Sequence, residues 1–150
     1  MQTEKILLKL MRYCAYQERC PADIRKKAAK FEISEAETEA LIKRLIEENY
    51  IDIKRYASAY ARGKFHQNKW GKVKIEQGLR QKEIDEKHID YGLREISRKE
   101  YSDTLQKLIA QKWKSANGKN DFEKKQKLAA FLLRKGYESD LVWDLVNQIK

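Results

Sequence analysis

Proline and glycine are scarce in this sequence, with one proline and six glycines among 150 residues. Both residues interrupt regular secondary structure, so their scarcity favours long regular elements. The chain is also rich in Lys, Glu, Gln, Leu and Ala, which are good helix formers. Nothing in the sequence requires a β-strand. The composition therefore predicts an all-α protein whose helix faces are mostly solvated.

Long hydrophobic runs are also missing. The longest apolar run near the amino terminus is residues 6–8, whereas about 20 apolar residues are needed to span a bilayer. The same segment has no signal-peptide core and no small-residue cleavage site. We therefore expect a cytoplasmic protein that does not bind membranes.

Metal ligands and catalytic motifs are few. Cys14 and Cys20 are the only cysteines, and we expect both to be reduced. His66 and His88 lie far from them in sequence and no C-x-x-C motif is present, so a four-ligand zinc site is not expected. A Gly-rich phosphate loop, a G-x-S-x-G motif and an ordered Cys, His and acid set are likewise absent. We predict a protein that is not an enzyme and that has no cofactor.

Positive charge is abundant and unevenly distributed. The chain has 33 basic and 23 acidic residues, a net charge of +10. Nine basic residues and only two acids lie between positions 52 and 82. Such a concentration attracts polyanions, which favours nucleic acid or an acidic protein as the partner over a small molecule. Basic residues on helices usually form only a solvated face, but their density here indicates a binding surface. The candidate binding residues are Lys54, Arg55, Arg62, Lys64, Lys69, Trp70, Lys72, Lys74, Arg80, Lys82, Lys124, Lys125 and Lys127.

The aromatic residues near this basic stretch have two interpretations. Tyr56 and Tyr60 are one helical turn apart and could stack on bases, although their amphipathic spacing favours core packing. Trp70 is either a packing wedge between repeats or an exposed anchor, and we favour packing. Trp113 and Trp143 fall on the apolar stripes of their helices and are expected in the core.

Helix boundaries can be placed from capping signals. We predict a first helix over residues 3–17 with Thr3 as its N-cap. Pro21 fits the first turn of a second helix that extends to Lys30. Ser34 and Glu37 form a capping box that begins a third helix, which ends near residue 48.

This group of three helices is repeated twice more. The apolar positions 24, 28, 33, 38, 42 and 45 recur after 51 residues, and the second set recurs after a further 53 residues. Fixed spacing of this kind indicates tandem repeats. We predict units at residues 1–50, 51–97 and 98–150, with opening helices over 52–67 and 102–116 in the later two. The middle helix of each unit is basic and the closing helices of the first two are acidic, so the stacked units should expose edges of opposite charge.

The sequence resembles the RecX family, the bacterial regulators of the RecA recombinase, over nearly its whole length. The residues that carry the resemblance are Asp52, Arg55, Tyr56, Ala57 and Tyr60, then Lys69, Gly71, Lys74, Ile75, Leu79, Lys82 and Ile84, with a weaker match at Leu133, Arg134, Lys135, Gly136 and Tyr137. Glu83 departs from the pattern, because the family usually has glycine at that position.

The resemblance implies a curved, elongated array of three three-helix units. It also implies a protein that binds RecA filaments on single-stranded DNA and inhibits their ATPase, strand-exchange and co-protease activities in recombinational repair and the SOS response. We expect a monomer with at most weak, non-specific DNA binding.

Two other functions are compatible with the residues. Residues 74–93 also match a helix-turn-helix, which is typical of a DNA-binding regulator. A basic edge could equally serve a scaffold protein with another acidic partner.

Overall fold

Helices account for all the regular secondary structure in the part of the chain that the computed structural model describes, residues 2–150. These helices are α1 (Gln2–Tyr16), α2 (Pro21–Ala28), α3 (Glu35–Glu47), α4 (Ile53–Asn68), α5 (Lys72–Gln81), α6 (Glu86–Arg94), α7 (Arg98–Ser115), α8 (Asp121–Lys135) and α9 (Ser139–Asn147). No helix within residues 2–150 combines the length and the apolar character that a membrane span needs. The prediction of an all-α fold is confirmed.

Each run of three helices forms one unit, and the units follow one another in an elongated, curved array. Unit 1 comprises α1 to α3, unit 2 comprises α4 to α6, and unit 3 comprises α7 to α9. The predicted residue boundaries of the three units stay a prediction. The arrangement places two joints in the molecule, one between units 1 and 2 and one between units 2 and 3.

Capping residues begin several helices as predicted. The Ser34 hydroxyl accepts a hydrogen bond from the Glu37 N–H in a complete capping box, and Pro21 occupies the first turn of α2. The predicted start of α7 at Ser102 is wrong, because Ser97 caps a helix that begins at Arg98. Thr3 is not an N-cap, since it lies within α1.

The repeated apolar positions form the core. Fifteen of these eighteen side chains are buried and the other three are half-buried. They divide into two clusters. One belongs mainly to unit 1 and includes Leu10, Ile24 and Leu45, whereas the other runs continuously through units 2 and 3 and also contains Cys20 of unit 1. Ile53 contacts both clusters. Units 2 and 3 therefore share one core, and unit 1 has a core of its own that meets the shared one at Cys20 and Ile53.

The joint between units 2 and 3 is a direct backbone contact. The Gly71 N–H donates to the Lys135 carbonyl at 2.8 Å, and the Val73 N–H donates to the Gly136 carbonyl at 2.9 Å. The first turn of α5 thus pairs its unsatisfied donors with the unsatisfied carbonyls at the end of α8. Glycine is required in both of the segments that meet here, at positions 71 and 136. A Cβ at Gly71 would lie 2.3 Å from the Gly136 carbonyl carbon, and Gly136 has a φ of 100°.

Side chains complete this joint. The Lys72 N–H donates to the Tyr101 hydroxyl at 2.9 Å, and that hydroxyl donates to the Glu138 carboxylate. The Tyr137 hydroxyl donates to the Lys69 carbonyl at 2.9 Å. Burial is the main cause that raises the pKa of Tyr101, and it raises that of Tyr137 to about 12, so both phenols stay protonated donors at neutral pH.

The joint between units 1 and 2 has the same register but different residues. The repeat spacings place Cys20 at the position of Gly71 and Glu83 at the position of Gly136. The Cys20 N–H donates a hydrogen bond to the Asp23 carboxylate. The Cys20 thiol donates to the Lys82 carbonyl at 4.0 Å. No backbone hydrogen bond between α2 and the end of α5 is present within residues 2–150.

Ion pairs, together with the buried side chain of Cys20, connect units 1 and 2 instead. Lys82 Nζ lies 2.6 Å from an Asp23 carboxylate oxygen, and Arg55 Nε lies 2.7 Å from one of Glu18. Arg55 also donates to the Asn49 carbonyl at the end of α3. Cys14 and Cys20 are free, buried thiols, and burial raises the pKa of Cys14 to about 11.

We predict that Gly136→Ala destabilises the chain by about 2–4 kcal/mol, because the new Cβ lies in a left-handed conformation and overlaps α5. Its position would be 2.3 Å from the Lys74 Cβ. Urea unfolding followed by circular dichroism measures the change. Gly63→Ala is the matched control, since its Cβ meets nothing within 4 Å. It should stabilise the chain by about 1 kcal/mol. Equal stability of the two variants would contradict the docking contact.

Glu83 has a φ of 62°, the conformation for which glycine is favoured. We predict that Glu83→Gly is more stable than Glu83→Ala by about 1 kcal/mol in the same assay, because only alanine retains the left-handed strain. Both variants lack the Glu83 carboxylate, which lies 3.9 Å from Arg25. The loss of that ion pair therefore does not contribute to the difference in stability between them. A more stable alanine variant would show that strain at this turn is negligible.

Candidate nucleic-acid interface

Four of the predicted binding residues make salt bridges within the chain. Arg55 and Lys82 hold units 1 and 2 together as described above. Arg80 pairs with Glu76 at 2.8 Å and with Glu86 at 2.7 Å, and Lys127 pairs with Glu123 at 3.4 Å. The hydrogen bond that the Lys82 ammonium donates to Asp23 raises the pKa of Lys82 against the opposing effect of burial. Lys82 therefore remains charged at neutral pH, and its ammonium group is engaged with Asp23 at the joint between units 1 and 2.

A second group of predicted residues surrounds Trp70. The ammonium groups of Lys64 and Lys74 lie 4.9 and 4.5 Å from its ring, and Lys72 lies 4.9 Å from the ring of Tyr101. Trp70 is half-buried against the shared core of units 2 and 3. Lys69, which ends α4 in a left-handed conformation, donates to the His66 carbonyl at 2.7 Å. We call Lys64, Lys69, Trp70, Lys72 and Lys74 the Trp70 face.

The remaining predicted residues lie elsewhere. Lys54, Arg55 and Arg62 line a small pocket of about 230 Å³ on α4, together with Tyr91 of α6. Lys124 and Lys125 are half-buried near the start of α8 in unit 3, and the Lys124 ammonium lies 4.2 Å from the ring of Trp113. The structure thus divides the predicted residues among several surfaces.

A wide concavity lies at the joint between units 1 and 2, and we call it the first-joint groove. Its volume is about 790 Å³. The basic side chains along it outnumber the acidic ones by six to two, and both acids are already paired with Lys82 or Arg55. The groove is lined by Tyr13, Gln17, Glu18, Arg19, Asp23, Lys26, Lys27, Lys30, Tyr56, Ala59, Tyr60, Gly63, Lys64, Gln67, Asn68 and Lys82.

Arg19 is held in a fixed orientation beside this groove. Its guanidinium carbon lies 3.6 Å from the centre of the Tyr13 ring, and its Nε donates to the Tyr13 carbonyl at 2.9 Å. Lys27 also lies 5.1 Å from that ring. The Arg19 Nη atoms make no hydrogen bond to another residue between 2 and 150. A guanidinium ordered in this way is suited to a phosphate or carboxylate.

Helix α4 forms one wall of the groove. Tyr56 is buried, which raises its pKa and agrees with the predicted packing role. Tyr60 is half-buried, with its ring centre 5.9 Å from that of Tyr56. Gly63 lies one turn further along, and a Cβ there would meet nothing within 4 Å. The helix therefore presents an aromatic ring and a bare backbone side by side.

Most of the groove was not assigned from sequence. Lys26, Lys27 and Lys30 were recognised as part of a basic middle helix, but their position opposite α4 depends on how units 1 and 2 meet. Arg19 and Tyr13 carry no signal in the linear pattern. The only available indication was the recurrence of basic middle helices in every unit. As for metals, no cluster of three or more His, Cys, Asp or Glu side chains that could hold an ion exists in residues 2–150.

Similarity to known proteins is consistent along the chain. Family models for the second and third three-helix domains of RecX match residues 54–93 and 99–146. The chain is 28% identical over 149 residues to proteins named regulatory protein RecX from Bacillus cytotoxicus and from Bacillus mycoides. Each match covers 99% of this chain and 55% of the relative, so the chain spans about half the length of those relatives.

Solved structures agree with this similarity. A crystal structure of regulatory protein RecX superimposes with a TM-score of 0.87 at 28% identity, covering 99% of this chain and 74% of that one. The structure of RecX from Lactobacillus salivarius has the same fold, with a TM-score of 0.81 at 24% identity over 97% of this chain and 94% of that one. Two domain models that together match more than half of the chain, in the correct order, identify the chain as a member of the RecX family.

Proposed function

We propose that this protein binds RecA filaments on single-stranded DNA and modulates RecA activity without catalysing a reaction itself. The observation that carries the proposal is membership of the RecX family, joined to a basic surface on the same chain. A RecA filament offers two kinds of negative charge, the DNA phosphates and acidic side chains of the protomers. The Trp70 face and the first-joint groove are suited to such groups.

The array suggests how binding would become regulation. Because units 2 and 3 share one core, they would bind as a rigid body across neighbouring RecA subunits. Unit 1, joined through ion pairs, would adjust to the filament. A rigid array that bridges subunits would resist the changes in subunit spacing that accompany ATP turnover, and inhibition would follow. This proposal covers ATP hydrolysis, strand exchange and co-protease activity alike, and with them recombinational repair and the SOS response.

A sequence-specific helix-turn-helix regulator is less well supported. Helices α5 and α6 have the required order, but α6 would be the recognition helix and it exposes Glu86 and Asp90. Acidic residues on that surface would meet DNA phosphates unfavourably. Arg80, on the preceding helix, is already paired with Glu76 and Glu86.

We predict that reversing the charge of the Trp70 face weakens inhibition of RecA at least tenfold. The test variant is Lys69→Glu, Lys72→Glu and Lys74→Glu combined, and the measurement is RecA ATP hydrolysis on single-stranded DNA with RecA of the same bacterium. The expected effect follows from lost attraction to phosphates or acidic protomer surfaces.

The matched control is Lys43→Glu, Lys87→Glu and Lys107→Glu combined, which changes the net charge equally at exposed sites, one in each unit. Circular dichroism confirms that both variants are folded. The control should inhibit within threefold of the unaltered chain. Inhibition by the test variant at the control level would exclude the Trp70 face, and no effect of the unaltered chain at equimolar RecA would overturn the proposed function.

A further inference from the structure

We propose that the first-joint groove binds a single strand of nucleic acid directly, with phosphates on its basic side chains and bases against its planar groups. The inference deepens the proposed function by naming the component of the filament that this groove would contact. The binding itself requires only this chain and an oligonucleotide.

The charge of the groove is suited to a phosphate backbone. Unit 1 contributes Arg19, Lys26, Lys27 and Lys30, and unit 2 contributes Lys64 from the opposite side. The two acids of the groove are neutralised by Arg55 and Lys82 at short distances. Five cations thus remain for a ligand, and release of counterions from the strand would drive binding.

Planar groups in the groove can contact bases. The Arg19 guanidinium carbon lies 3.6 Å from the centre of the Tyr13 ring and 5.9 Å from that of the exposed Tyr16 ring, and guanidinium planes are a recurrent base-stacking surface in single-strand recognition. Tyr60 also lines the groove, and the part of its ring that is not packed against the core can contact a base. A duplex keeps its base faces stacked inside, so these groups favour a single strand.

Gly63 gives independent support. It lies in the interior of α4, where glycine costs about 1 kcal/mol relative to alanine. Close packing does not explain why glycine occupies this position, because an added Cβ would meet nothing within 4 Å. Gly63 lines the groove, so a side chain there would occupy the space of a ligand. A bare backbone at this point is what close approach of a polymer requires.

The length of the groove also fits a strand. Lining residues of α4 extend from Tyr56 to Asn68, which is about 18 Å at 1.5 Å per helical residue. At about 3.4 Å per stacked nucleotide this wall accommodates about five nucleotides. A free nucleotide would occupy only part of it.

The test measures binding of a fluorescein-labelled 20-mer of deoxythymidine by fluorescence anisotropy, using the full chain without RecA. We expect Gly63→Leu to bind at least tenfold more weakly, because the leucine fills the groove, while its unfolding midpoint is not lowered. Gly63→Ala, which adds only a methyl group, should bind more weakly than the unaltered chain and more tightly than Gly63→Leu. Equal binding by Gly63→Leu and the unaltered chain would overturn the proposal.

Two charge-reversal variants test the same groove without altering its shape. Lys30→Glu, at an exposed groove residue, should weaken binding at least fivefold, whereas Lys43→Glu, an exposed lysine of α3 outside the groove, should weaken it less than twofold. The logarithm of the affinity should fall with the logarithm of salt concentration with a slope of about −3.5 if all five cations meet phosphates. Equal losses for the two variants would mean non-specific attraction and would overturn the proposal.

Competition experiments separate this ligand from others with similar charge. An abasic strand of equal length should compete at least fivefold less well than the thymidine strand, since stacking contributes about 1–3 kcal/mol per base. Equal competition by the abasic strand or by a polyglutamate peptide would exclude base recognition, and equal competition by ATP would exclude a site for a polymer; each of these results would overturn the proposal. RecA hydrolysis is not part of these measurements, so their failure leaves the proposed function standing. Loss of RecA inhibition with intact strand binding would overturn the proposed function alone.

Discussion

The structure depends on one contact, in which the amino-terminal turn of α5 rests on the carboxyl-terminal turn of α8. Donors from Gly71 and Val73 meet carbonyls of Lys135 and Gly136, so each helix end satisfies the backbone groups that the other leaves free. The opposite ends of two helix dipoles also meet there, which is favourable. Because neither glycine leaves room for a Cβ, the two backbones approach closely and the apolar residues around them merge into one core.

The same register produces a different joint one repeat earlier. With Cys20 and Glu83 in place of the two glycines, the backbones do not hydrogen-bond directly, and salt bridges from Lys82 and Arg55 make the connection. This difference accounts for the separate core of unit 1 and for the groove at that joint. It also gives the basic residues two roles, since some hold the units together while others remain for a partner.

Periodicity in the sequence was sufficient to predict the helices, their grouping and most of the buried positions, because burial of a helix face is a local property of spacing. Capping chemistry placed the start of α3 at Ser34, whereas the repeat predicted a start at Ser102 for α7, which begins at Arg98 after the Ser97 cap. Charge density drew attention to residues 52–82, whose role in binding stays a prediction. It could not reveal that Lys82 pairs with Asp23, or that Arg19 and Gly63 line one groove, since both depend on how two units meet.

We infer that units 2 and 3 form one cooperative body to which unit 1 is joined more loosely. Native-state hydrogen exchange, resolved by mass spectrometry along the free chain, tests it most directly because it reports the opening of each segment. We expect core amides of α4 to α9 to exchange at one common slow rate, while those of α1 to α3 exchange faster and accelerate with salt. Slowest exchange in unit 1, or exchange of unit 3 independently of unit 2, would contradict it.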